Sequence, residues 1–375
     1  MMGEGLRRLL PWRARRGGQV ICALAVLAGG LLAAGKAPLD AQRRSEELPR
    51  VTPAMALLTW EAEDQDDMAI WHHPTDLAQS TIIVSDKAAD RIFVYNLSGH
   101  VVQTIEAEQP GNIDIRHDVL LGTTMMDVVA VNQRDKGPRI LVFRVNPATR
   151  ELERIDNDSI LTQKSMGGTL YHSRRTGTLY FIVTPDGNGI VEQFELFAAP
   201  SGRVGGRVVR EWGIGETEAA TGDDELGKIY VAEERVGVWE LGGEPGDPAP
   251  GDLVLRVREN GLRADVEGLT IYRTSPEAGY LFVSNQSRDN FQVYTREAPH
   301  QYLGSFEIEG AEESDGIDVT NANLGGRFSN GLFAAHSSPS ELEQYPVLLT
   351  PFEQIAGALG LQLSTVHEPR RTEGR

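Results

Sequence analysis

From residue 55 onward the chain repeats one pattern: a short β run, an acidic or polar turn, and a second run carrying an aromatic. It reads IIVSDKAADRIFVYNL, VVAVNQRDKGPRILVFRV, LYFIVTPDGNGIVEQFEL, IYVAEERVGVWEL and YLFVSNQSRDNFQVYT, with GIDVTNANLGGRFSNGLFAAHS as a looser sixth copy. Runs of four to eight β-branched and aromatic residues bounded by Gly, Asp, Asn and Pro are strand signals. The copies recur roughly every 45–60 residues, near the length of a propeller blade. No unit of this size buries both its faces alone, so the copies are expected to stack radially around a channel. The expectation is an all-β, six-bladed β-propeller forming one domain over residues 55–358; a two-sheet sandwich is the competing architecture. No helical period holds for long, and 341–361 offers the only weak helix candidates.

The first 37 residues differ from the rest. Arg7, Arg8, Arg13, Arg15 and Arg16 form a basic head, an uncharged, mostly apolar stretch runs over 20–34, and small residues follow. These are the parts of a secretory signal peptide. Fifteen helical residues rise about 22 Å, short of the roughly 30 Å hydrocarbon core, so an uncleaved anchor is the second reading. A polar leader over 38–54 and a polar tail over 359–375 flank the expected propeller. The single cysteine, Cys22, sits near the start of the apolar stretch rather than at its end, where a lipoprotein cysteine would lie, and it excludes a disulfide scaffold.

Charge narrows the function further. The chain carries a formal net charge of −18, and removing 1–37 takes away six basic residues and one acid, leaving it near −23. Such a chain is unsuited to nucleic acid, which needs a positive surface to displace counterions. No second apolar stretch reaches membrane length. A secreted or periplasmic monomer without disulfides is therefore expected, and bound metal is one source of its robustness.

The acids gather where the loops of each unit fall: Glu63, Asp64, Asp66 and Asp67; Asp114; Glu216, Glu218, Asp223, Asp224 and Glu225; Glu233 and Glu234; Asp265 and Glu267; Glu312, Glu313, Asp315 and Asp318. Equivalent loops of a propeller converge on one end of the channel. Converging carboxylates are costly unless cations intervene, and hard oxygen ligands suit Ca²⁺. Taken singly, each acid also reads as a solvated turn residue. No HExxH, GxSxG, Walker A or GxGxxG–helix pattern is present, which argues against a zincin, serine-hydrolase, P-loop or Rossmann reading. His72, His73, His117 and His172 read as packing or strand-end residues. Lys87, Arg116 and Arg134 stand near strand ends, suited either to phosphate oxygens or to ion pairs with neighbouring acids.

Eight stretches, in order, resemble the β-propeller phytase family: DDMAIWHHP (66–74), VYNLSGHVVQTI (94–105), NIDIR (112–116), LYHSRRTGTLYFIVT (170–184), VEQFEL (191–196), TEAATGDDELGKIYVAEERVGVWEL (217–241), DVEGLTIY (265–272) and SDGIDVTN (314–321). The resemblance implies a Ca²⁺-stabilised six-bladed enzyme that hydrolyses phosphomonoesters of myo-inositol hexakisphosphate. It implies Ca²⁺ ligands at Asp66, Asp67, Glu218, Glu234, Asp265, Glu267, Asp315 and Asp318, with the Ile113 carbonyl a further one. Within that set it gives Glu218, Glu234 and Glu267 to catalysis, and it gives Lys87 and Arg134 to the substrate. Four departures stand out: Met68 for proline, Met166 for a tyrosine, Gly187–Asn188 for a Lys–Glu pair that supplies a phosphate-binding cation, and His336–Ser337–Ser338 for Gln-Asp-Gly.

The expected mechanism has several Ca²⁺ ions clamping the phosphate while metal-activated water attacks phosphorus in line, yielding lower inositol phosphates and orthophosphate. Two alternatives remain: a secreted Ca²⁺-binding propeller that holds an anionic ligand without turnover, and a propeller lactonase.

Overall fold

A computed structural model describes residues 47–339 and 345–364. The expected signal peptide lies outside these residues, as do 38–46 of the leader and the tail from 365. Six sheets are arranged as a β-propeller. Their innermost strands are Gln65–Trp71, Pro110–Leu121, Ser165–His172, Thr217–Asp223, Val266–Arg273 and Ile317–Thr320, here defining blades 1 to 6. Each contacts the next, and the sixth contacts the first, so the ring closes around the channel. Blades 1 to 4 are wholly antiparallel and run from inner to outer strand in sequence order. The two-sheet sandwich is thereby excluded.

The first five repeat units are the second and third strands of blades 1 to 5, as in Thr81–Asp86 paired with Arg91–Asn96. The looser sixth copy is instead the first and second strands of blade 6, Ile317–Thr320 and Leu332–His336. Its outermost strand comes from the other end of the chain: Met55–Leu57 pairs antiparallel with Val347–Pro351. This closure joins the last blade to the start of the fold. Within the stretch read as a leader, Arg50–Val51 adds a fifth, parallel strand to blade 5 beside Tyr302–Ile308.

The core is divided into six parts, each lying between two neighbouring blades. Tyr272, Phe282 and Phe291 of blade 5 meet Ile317, Val319 and Phe333 of blade 6. Leu170, Phe181 and Phe194 of blade 3 meet Val128, Ala130 and Val142 of blade 2. Each seam is built from the alternating apolar positions of both sheets, which is why no blade is a core by itself. Outer strands meet water and alternate accordingly, as in Val101–Glu106.

One α-helix, Phe352–Leu359, follows the last strand. Phe352, Ile355 and Ala356 fall on one face and are buried, and Gly360 ends the helix in a left-handed conformation, its N–H donating to the Ala356 carbonyl. The Phe352 ring stacks on Tyr272 at 3.8 Å between centroids, seating the helix on blade 5.

Candidate active site at the channel mouth

Five inner strands carry the same irregularity. The ladder to the second strand shifts between Gln65 and Met68, Pro110 and Ile113, Ser165 and Gly168, Thr217 and Ala220, and Val266 and Leu269. A bulge leaves residues unpaired and re-aims their side chains. The first residues so released are Asp66, Gly111, Met166, Glu218 and Glu267. In blade 6, Asp315 holds the corresponding place two residues before its inner strand.

A second tier is formed by the residue that follows each second strand in blades 1 to 5: Lys87, Arg134, Asp186, Glu234 and Gln286. Each donates its backbone N–H to the residue just before the inner strand, Asp64, Gln109, Lys164, Glu216 and Asp265, at 3.0–3.3 Å. In blades 1 to 5 these repeated backbone bonds bring three chain positions per blade together at one end of the channel. Glycine allows the strands to come this close. A Cβ on Gly167 would lie 1.7 Å from the Glu218 carbonyl oxygen, and one on Gly316 would lie 2.2 Å from Asp67 Oδ1.

The mouth is divided by charge. Blades 1 and 2 contribute Lys87 and Arg134; blades 4 to 6 contribute Glu216, Glu218, Glu234, Asp265, Glu267 and Asp315. Asp66 joins the halves. Lys87 Nζ lies 2.7 Å from Asp66 Oδ1, 3.3 Å from Asp315 Oδ2 and 3.7 Å from Asp64 Oδ2. Arg134 Nη1 lies 3.5 Å from both Asp66 Oδ2 and Glu218 Oε1. Its Nη2 points to the Met166 sulfur at 2.7 Å. Gln286 Nε2 donates to Asp315 Oδ1.

Electrostatics separate the carboxylates. Burial would raise the Asp66 carboxyl, but Lys87 and Arg134 hold it below its usual range. Burial pushes Glu218 up to about 8, helped by the charges of Asp66 and Asp315. Glu267 rises well above the usual range through burial and then through Glu218 and Asp315. Burial, with Glu216 and Asp265 close by, lifts Glu234 to about 6. Burial opposes the charge of Lys87, yet Asp66 and Asp315 raise its pKa.

Glu218, Glu234 and Glu267 each offer an oxygen, and these atoms lie within 4.8 Å of one another. Glu267 Oε2, Asp66 Oδ2 and Arg134 Nη1 are buried without a hydrogen bond. Three crowded carboxylates, two orphaned oxygens and no sulfur or imidazole donor within the group fit a hard divalent cation such as Ca²⁺.

The residues expected from the sequence thus fall into two groups. Asp66, Lys87, Arg134, Glu218, Glu234, Glu267 and Asp315 meet at the mouth. Asp265 stands on its outer edge, beside Glu234. Asp67, Ile113 and Asp318 lie further down the channel wall with Asp114, Thr169 and Thr270. There the Ile113 N–H donates to Asp67 Oδ2 at 3.0 Å, while Asp318 accepts from the Ile70 N–H at 2.9 Å and the Thr270 hydroxyl at 3.1 Å. Burial raises Asp67 well above the usual range.

Sequence reading missed Gln286, whose signal was its position one residue past a second strand, matching Lys87 and Arg134. At the departure in blade 6, His336 is buried; desolvation lowers the pKa of its ring, and its Nδ1 accepts from the Asp315 N–H at 3.1 Å. His72 also packs, stacked on His117 at 5.0 Å between centroids.

The fold and the mouth define a β-propeller with a carboxylate-rich, cation-competent site. The model of the phytase family matches residues 21–370. The chain is 33% identical over 329 residues to the 3-phytase of Bacillus subtilis (strain 168), covering 83% of this chain and 85% of that protein. The chain belongs to the phytase family. Among solved structures it is similar to regucalcin, a calcium-binding protein from Agrobacterium tumefaciens, at 11% identity and a TM-score of 0.49, covering 86% of this chain and 98% of that one. It is also similar to streptogramin B lyase, at 9% identity and a TM-score of 0.42, covering 78% and 86%.

Proposed function

We propose that this phytase is an exported, Ca²⁺-dependent enzyme that hydrolyses myo-inositol hexakisphosphate at the channel mouth. The products are orthophosphate and lower inositol phosphates. The observation that carries the reading is the division of the mouth: three carboxylates within 4.8 Å of one another facing a cationic side built on Lys87 and Arg134.

Glu218, Glu234 and Glu267 would hold the mouth cation, with Asp66 and Asp315 at its border; Asp67, the Ile113 carbonyl and Asp318 would hold cation in the channel below, and Asp265 at the outer edge. When bound, Ca²⁺ supplies positive charge that neutralises substrate phosphate and activates water. The protein's own residues do the rest. Lys87 and Arg134 bind phosphate oxygens, as a point charge and as a planar fork respectively. Asp66, ionised between them, orients both. Glu218, ionised once the cation is held, is placed to accept a proton from the attacking water. No enzyme nucleophile is required, consistent with the lack of a His or Cys nucleophile motif.

A substrate carrying six phosphates would be repelled by a chain near −23, so the cationic side and bound cations are what admit it. Export is supported by the basic, apolar and small-residue segments of 1–37; among the described residues no helix is long and apolar enough to cross a membrane. The test is phosphate release from phytate by the purified protein, with Ca²⁺ and with chelator. Chelator-sensitive release supports the reading; absence of release from folded, Ca²⁺-loaded protein overturns it in favour of a binding module.

A further inference from the structure

The bulge of blade 3 releases a methionine at the mouth, where blades 1, 4 and 5 release Asp66, Glu218 and Glu267. The backbone here is held on both sides. The Met166 carbonyl accepts from Asn132 Nδ2 at 3.2 Å, and the Gly167 N–H donates to Thr184 Oγ1 at 2.9 Å. Met166 is partly exposed, and its sulfur lies 2.7 Å from Arg134 Nη2. The other terminal nitrogen of that guanidinium, Nη1, faces Asp66 and Glu218, each at 3.5 Å. A thioether is only a weak acceptor. The sulfur therefore occupies a donor of Arg134 without binding it firmly, and an anion displaces it readily.

Sulfur at this place brings a chemistry that the charged residues of the mouth lack. A hydroperoxide oxidises a thioether by two electrons. One peroxide oxygen bonds to sulfur as the O–O bond breaks, and the other leaves as hydroxide, which takes up a proton to give water. The sulfoxide carries a strong acceptor oxygen where the thioether had a weak one. Beside a guanidinium that is always charged, that oxygen accepts a charge-assisted hydrogen bond, roughly twice as strong as a neutral one. The single cysteine, Cys22, falls in the segment expected to be removed on export. Thioethers are then the sulfur that an oxidant meets outside the reducing cytosol.

We infer that Met166 is an oxidation-sensitive site that regulates this mouth: its sulfoxide ties up Arg134 and weakens binding of the phosphorylated substrate, and reduction of the sulfoxide restores it. This rests on the phytase reading above, in which Arg134 binds phosphate. Oxidation leaves the carboxylates and the net charge untouched, so the cation site persists and the effect falls on KM. Met125 supplies the contrast. It is 51% exposed, more open than Met166, yet it lies near the start of Thr124–Gln133, at the far end of the strand that Arg134 follows.

The experiment treats the purified protein, with Ca²⁺, with dilute hydrogen peroxide and locates the added oxygen by peptide mass. It measures kcat and KM for phytate before treatment, after it, and after repair with methionine sulfoxide reductase. Oxidation of Met166 is expected to raise KM about fivefold while kcat stays within about twofold, and repair should return KM to its starting value. Met125→Leu should respond to peroxide as the parent does. Met166→Leu, compared only with its own untreated state, should keep its KM. The proposal is overturned if Met166 stays unmodified while Met125 is oxidised, if its sulfoxide leaves KM where it was, if repair fails to restore KM, or if treated Met166→Leu loses as much as the parent. An active protein whose KM ignores peroxide overturns this proposal alone. A folded protein that releases no phosphate before treatment overturns the phytase reading, and the role of Met166 falls with it.

Discussion

Arg134 Nη1 and Glu218 Oε1 face each other at 3.5 Å across the channel mouth, beyond a good hydrogen bond, and that guanidinium nitrogen is buried without a hydrogen bond. The spacing is what a site needs if an anion is to enter between a cation and a metal-binding carboxylate. A fully formed bidentate pair would have to be broken first. The arginine is held back by Asp66 on one side and by the Met166 sulfur on the other.

Removing the acidic side should separate binding of cation from stability. Glu267→Gln replaces one of three crowded carboxyl groups with a neutral isostere. In chelator the variant should be slightly more stable than the parent, by about 1 kcal/mol, because burial and like charge already disfavour the ionised form. With Ca²⁺ the order should reverse, and phosphate release should fall at least about 100-fold. Thermal melts with and without Ca²⁺ check both halves; a variant equally stabilised by Ca²⁺ would refute the assignment.

The pH dependence of the cation-free protein follows from the same groups. Glu218 and Glu267 keep their protons in the fold at pH values where the unfolded chain has lost them. Stability should therefore decline as pH rises from about 4.5 toward about 8, the folded value for Glu218. Ca²⁺ binds the ionised carboxylates, so its binding should release protons in this window and tighten as pH rises. Calorimetry in buffers of different ionisation enthalpy measures the proton count; no release at pH 7 would contradict the shifted carboxyls.

Gly167→Ala tests the approach of blades 3 and 4. The added methyl would sit 1.7 Å from the Glu218 carbonyl oxygen, which no rotamer change relieves because backbone is in the way. Displacement of the bulge should lower kcat/KM for phytate more than tenfold and cost about 1–3 kcal/mol. Unaltered kinetics together with an unaltered melt would mean that Glu218 is not positioned by this contact.

A second buried network, away from the mouth, should govern stability alone. Arg296 is fully buried and its guanidinium binds both Asp223 oxygens, with Nε 2.6 Å from Oδ2, and Glu225 at 3.0 Å. Arg296→Met strands these acids and should cost about 3–5 kcal/mol, a fall in Tm of roughly 10 °C. The fraction that stays folded at 20 °C should retain its KM for phytate; a KM change of more than about threefold would tie this network to the site.

Five of the six repeat units were legible because their hairpins combine alternation, turn residues and aromatics within some 18 residues. The closure was not: Met55–Leu57 spans three residues and Arg50–Val51 two, too short to show any period, and both owe their existence to partners about 250–290 residues away. The acids could be gathered into clusters by sequence but not sorted among themselves. Asp66 and Asp67 are adjacent, yet the bulge sends one to the mouth and leaves the other against Ile113 in the channel.

The sequence by itself determined the repeat, and with it the propeller, since local patterning makes each hairpin and the exposed faces of each hairpin require a neighbour. It also determined the residue types that can bind cation and phosphate. Tertiary structure decided which of them meet. A strand period of two residues and a bulge of one position set whether a side chain faces the mouth, the channel or a blade seam. The burial that lifts Glu218 to about 8 and Glu234 to about 6 exists only once six blades close. Electrostatic energy depends on distances between groups far apart in the chain, and those distances are fixed by ring closure.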